Sequence, residues 1–154
     1  MRVARYYCPT AHQTFCLLPD CLAARLSGSL DEVETVVAAV EAAPSIEAAA
    51  DGLRPDIELP GAVRWVRRRY SAVRAALLVL VTSTPALLGK CQPTLAEVSE
   101  RVRPPVLRHV RAEVEKQLGA LPAPVGFAPR LRAVPRGRTP REHETGPDPP
   151  ARPL

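Results

Sequence analysis

Between Pro60 and Pro85 the chain carries one sustained apolar period: Val63, Val66, Tyr70, Val73, Leu77 and Leu80 recur at steps of three and four. That is the period of an α-helix with one face turned to a core. It predicts a helix over residues 62–82, preceded by Pro60-Gly61 and broken at Thr84-Pro85. The flanking sequence reads the same way. Ser29-Leu30-Asp31-Glu32 is a capping box, in which the serine hydroxyl and the glutamate satisfy each other's backbone N–H groups. Val33, Val36, Val37 and Val40 follow at helical spacing, and Pro44 stops the run. Ser45 caps a short helix over residues 46–51, with Gly52 expected as the left-handed residue that closes it. Thr94 caps a stretch over residues 95–102, Pro104-Pro105 interrupts it, and a last helix over residues 106–118 ends at Gly119. The fold class is therefore mainly α: a small helical bundle over residues 29–119 with short connections.

Composition limits what can fill that bundle. Aromatics are only 4% of 154 residues, so the core must be built from Ala, Val and Leu. The longest uninterrupted apolar run, residues 75–81, has 7 residues, far below the ~20 of a membrane span. Residues 2–9 lack the apolar core of a signal peptide, so no membrane partner and a cytoplasmic location are expected. Residues 120–154 hold nine of the 18 prolines and six arginines with almost no apolar period. They are expected to be a disordered basic tail, open to protease from about Leu121 onward.

The N-terminal 28 residues contain three of the four cysteines. Arg5-Tyr6-Tyr7 reads as a short strand with residues 15–18 as its partner. Cys8, His12, Cys16 and Cys21 have residue types suited to zinc, but their C-x3-H-x3-C-x4-C spacing lacks the C-x2-C turn that lets two thiolates converge on one ion. No stoichiometric metal and no cofactor are expected; the alternative use of Cys16 and Cys21 is as small apolar residues.

Charge is arranged in blocks. Residues 31–58 carry eight acids and one base, Arg54. Residues 59–90 carry no acid and six bases, of which Arg64, Arg67, Arg68 and Arg69 fall within six residues and Arg74 follows. On a helical wheel Arg64 and Arg68 oppose the Val63-Val66-Tyr70 stripe, while Arg67, Arg69 and Arg74 flank its edges. Cations so close repel one another unless an anion lies against them, and such a helix suits a DNA major groove. Arg64 and Arg68 are then expected at base edges and Arg67, Arg69 and Arg74 at phosphates, with the acidic block turned away from the duplex. A solvated helix face, or a cationic helix lying on a membrane, is the competing use of the same pattern.

The segment before this helix is short and Ala-rich, Ile46-Glu47-Ala48-Ala49-Ala50-Asp51-Gly52-Leu53, and the helix itself carries Val63-Arg64-Trp65-Val66-Arg67-Arg68. The pair resembles the helix-turn-helix of bacterial insertion-sequence transposases, with a longer turn over residues 54–61. Arg5 to Phe15 looks like the second half of the zinc ribbon that often precedes that motif, with Ala11 where the family has a cysteine. The resemblance covers residues 2–82. It implies a degraded zinc-ribbon-like segment over 1–28, a helix-turn-helix-like pair over 45–82, and a transposase-derived fragment that binds double-stranded DNA without metal.

No catalytic constellation is evident. The acids after residue 82 lie on helices or in the tail, Glu113 and Glu115 diverge on a helix, and His109 with Glu113 lacks a nucleophile or third group. The expectation is a non-catalytic DNA-binding module. The alternatives are a helical interaction protein, a homo-oligomer joined through Val73, Leu77 and Leu80, and a decayed transposase fragment without selected function.

Overall fold

Ser29 opens the helical body as its sequence indicates. Its hydroxyl accepts from the Glu32 backbone N–H at 3.1 Å, and the Glu32 carboxylate accepts from the Ser29 N–H at 2.7 Å. The computed structural model describes residues 4–129, except for the side chains of residues 15–17. The protein is mainly helical: among the described residues a two-stranded antiparallel hairpin, β1 (Ala4–Cys8) and β2 (Gln13–Leu17), precedes six helices. These are α1 (Leu30–Ala42), α2 (Ile46–Leu53), α3 (Leu59–Ser83), α4 (Pro85–Leu88), α5 (Leu95–Ser99) and α6 (Val106–Glu113), followed by a 3-10 turn at Glu115–Gln117.

Element boundaries shift for identifiable reasons. α2 runs through Gly52, which takes no left-handed conformation, and so carries Leu53 onto the second of two apolar clusters. α3 starts before Pro60, because a proline in the first turn gives up only a backbone N–H that has no helical partner. α5 and α6 are shorter than their apolar periods, although Val102 and Val114 still reach the core.

α1 divides its apolar stripe between the two clusters. Val33 and Val37 join Val73, Leu77 and Leu80 of α3 with α4, α5 and α6, whereas Val36 and Val40 join Ala49, Ala50, Ala62 and Val66. Val73, Leu77 and Leu80 are fully buried within the chain, so they do not form the partner surface expected of them. The buried arc of α3 includes Ala62, Arg69 and Ala76 and leaves Val63 and Tyr70 half-covered. It is thus rotated by about 40° from the arc of large side chains.

Two acids of α1 reach across to other helices. The Glu34 carboxylate accepts from the backbone N–H groups of Val106 and Leu107 at 2.9 and 2.8 Å, and Glu41 accepts from those of Leu95 and Ala96 at 2.9 and 3.1 Å. Each satisfies donors that a helix start leaves open and places negative charge at the positive end of its dipole. Two of the eight acids in the block thus hold the bundle together.

The packed body extends beyond residue 119. Leu121 and Val125 are buried in the main cluster, and the N–H groups of Phe127 and Ala128 donate to the carbonyls of Leu118 and Leu121. Gly126 turns so tightly that a Cβ there would overlap the Leu121 carbonyl. The expected tail boundary at 120 is therefore too early, because local turns and α6 satisfy this proline-rich backbone; residues 130–154 lie outside the described residues. Among the described residues no helix is long and apolar enough to cross a membrane.

Candidate nucleic-acid interface

Small side chains let α2 and α3 approach closely: Ala49, Ala50 and Ala62 are buried where the two helices meet. The link is Arg54 to Glu58, shorter than the residues 54–61 expected from sequence. Arg54 stiffens it with a two-point ion pair to Asp56, Nε–Oδ1 and Nη2–Oδ2 both at 3.1 Å. That pair raises the Arg54 pKa and lowers that of Asp56, in each case chiefly through the hydrogen bond. α2 and α3 are thus a closely packed helix pair joined by a five-residue link.

The five arginines of α3 separate into distinct environments. Arg64, Arg67, Arg68 and Arg74 are exposed. Arg67 lies 3.6 Å from Glu47 of α2, and Arg74 donates to the Tyr70 hydroxyl at 3.2 Å, which raises its pKa. Among the described residues no carboxylate lies within 4.0 Å of Arg64, Arg68, Arg69 or Arg74.

Arg69 corrects the sequence expectation of an exposed position at the edge of the α3 stripe. It is 6% exposed, stacks its guanidinium 3.8 Å from the Trp65 ring centre, and donates to the carbonyls of Trp65 and Ser27 and to the Ser27 hydroxyl. Burial lowers its pKa, and the charges of Arg68 and Arg54 add to the shift. The physical reason for its position is azimuth: Arg69 shares the side of α3 occupied by Ala62 and Ala76, which the core covers.

Residues 18–28 form a strap over the helices. Its backbone turns at Arg25 and Gly28, with φ of 59° and 102°, both left-handed. The Arg25 carbonyl accepts from Arg68 at 3.4 Å. Further along the strap, Arg111 of α6 is 4% exposed and donates to the carbonyls of Asp20, Leu22, Pro124 and Val125 at 2.6–2.8 Å. Burial lowers its pKa too. Sequence reasoning missed Arg111, yet its place among Val106, Leu107 and Val110 on α6, with Val114 just beyond, put it on the inward face.

Between the strap and α3 lies a recess of about 420 Å³ lined by Leu26, Ser27, Arg64, Trp65, Arg68 and Arg69. At the hairpin, His12 meets the Tyr7 hydroxyl at 3.0 Å; Cys8, Cys21 and Cys91 are free thiols, and the Cys16 side chain lies outside the described residues. Among the described residues no three His, Cys, Asp or Glu side chains are gathered to hold a metal ion. His109, considered beside Glu113, bonds through Nδ1 to the Pro105 carbonyl at 3.0 Å. Comparison with protein-family models, curated proteins and solved structures found no match to this chain.

Proposed function

We propose that the protein is a non-catalytic, cytoplasmic module that binds double-stranded DNA through the exposed arginines of α3. The observation that carries this reading is the outer face of α3: Arg64, Arg67, Arg68 and Arg74 stand on it, and Glu47 is the one described carboxylate within ion-pairing distance of any of them. Four clustered cations with a single carboxylate beside them attract a polyanion and release its condensed ions on binding. The close α2–α3 pair and the resemblance to transposase helix-turn-helix regions support a transposase-derived origin for the module.

A second reading has its own observation. Beyond Arg74 the same outer face turns apolar, with Leu78 54% and Val79 36% exposed, which suits a helical partner or a second copy. One experiment separates the two. Fluorescence anisotropy with a random duplex at two salt concentrations should give salt-dependent binding, and an Arg64/Arg67/Arg68/Arg74→Ala variant should lose most of it and flatten the salt slope by about 1 per phosphate contact removed. If that variant keeps its helical circular dichroism and binds like the parent at low salt, DNA binding through α3 is wrong and the apolar half of the face leads.

A further inference from the structure

The recess between the strap and α3 is built differently from a solvated cationic surface. Its wall contains a buried guanidinium, Arg69, whose position is fixed by Ser27 and by the Trp65 ring. Because the Ser27 hydroxyl accepts from Arg69 at 2.8 Å, its own proton is left to donate elsewhere. Arg68 makes one long bond, 3.4 Å, to the Arg25 carbonyl, so most of its five donors remain open. Arg64 makes no hydrogen bond or ion pair among the described residues and lines the same space. Three like charges therefore converge on a concavity with hydroxyl support and no acid within 4.0 Å among the described residues.

We infer that this recess is a phosphate-binding subsite, and, resting on the DNA reading above, that it seats one backbone phosphate together with its sugar. The chemistry favours phosphate over a base. Trp65, the one aromatic ring in the wall, already carries the guanidiniums of Arg69 and Arg54, at 3.8 and 5.1 Å from its centre, so a stacked base would have to displace them. Planar guanidinium forks match phosphate oxygens with paired, charge-assisted bonds. The size fits an ester better than a bare ion, since about 420 Å³ falls in the range of small-ligand sites, about 300–1,000 Å³. Arg64 and Arg68, expected from sequence at base edges, become the clamp on a phosphate that fixes where α3 lies on the duplex.

Trp65 is the only tryptophan and lies in the wall, so its emission reports the recess directly. The full chain is titrated with inorganic phosphate, thymidine 5′-monophosphate and a random duplex at constant ionic strength, while anisotropy of a labelled duplex follows DNA binding separately. The expected result is a saturable change in Trp65 emission with all three, tighter for the nucleotide than for phosphate. Arg64→Ala or Arg68→Ala should weaken it about tenfold. Arg103→Ala, which removes an equal charge from an exposed position outside the recess, should leave it unchanged. Circular dichroism of each variant verifies folding. Duplex binding without any emission change, unaffected by Arg64→Ala and Arg68→Ala, overturns the subsite and leaves DNA binding to Arg67 and Arg74. An emission change with phosphate and nucleotide but no duplex binding keeps the phosphate site and overturns the DNA reading. No response to any ligand overturns both.

Discussion

Arg111 and Arg69 grip the same strap at different points, and they end in different states. Arg111 meets four carbonyls and is 4% exposed. Arg69 meets Ser27 and Trp65 and stands beside two exposed arginines with an open recess in front of them. Neither has a carboxylate within 4.0 Å among the described residues, so in both places carbonyl dipoles offset the buried charge. The difference is saturation. A guanidinium with four of its five donors on fixed carbonyls holds structure, whereas one that shares its site with half-satisfied neighbours keeps capacity for an anion.

Substitutions at three positions bear on that contrast. Arg111→Ala should lower stability the most, by about 2–4 kcal/mol in urea unfolding, because four carbonyls lose a charged donor at once. Arg111→Lys should not restore it, since a single ammonium cannot span all four. Limited proteolysis should then open the strap and residues 121–128 together; a variant within about 0.5 kcal/mol of the parent, with both segments still protected, would mean the grip is redundant. Arg69→Ala should cost less, about 1–2 kcal/mol, for its bonds to the strap and its stacking on Trp65. A loss as large as that at Arg111 would erase the contrast. Arg64→Ala should have the smallest effect, within about 0.5 kcal/mol in the same unfolding experiment, because it removes an exposed side chain with no partner among the described residues.

The helical skeleton was legible because its signals are local. Ser29 with Glu32, Ser45, Thr94 and the prolines mark helix ends through bonds made within a few residues, and the valine and leucine spacing marks the inward faces. The hairpin was legible too, with Tyr6 paired opposite Phe15. The fates of the charged residues were less so, because they depend on what arrives from far along the chain. Glu34 and Glu41 cap helices more than fifty residues away. The burial of Arg69 is invisible in the large side chains alone; it follows from Ala62 and Ala76, which lie on its side of the helix and are buried too. The recess was not readable at all, since its other wall is the strap, whose path is set by Arg25 and Gly28 turning left-handed and by arginines from two separate helices.

The Arg111 grip has a mechanical meaning. Asp20 and Arg111 are 91 residues apart in sequence, and Arg111 binds Pro124 and Val125 through the same guanidinium. The Ala24 N–H adds a direct bond to the Pro124 carbonyl at 3.0 Å. The strand of chain entering the bundle and the one leaving it are thus tied at a single joint. Tension applied between residue 18 and residue 129 meets that joint, with α6, before it reaches α1 and α3. Extension should therefore begin with one abrupt yield at Arg111, and only afterwards reach α1 and α3.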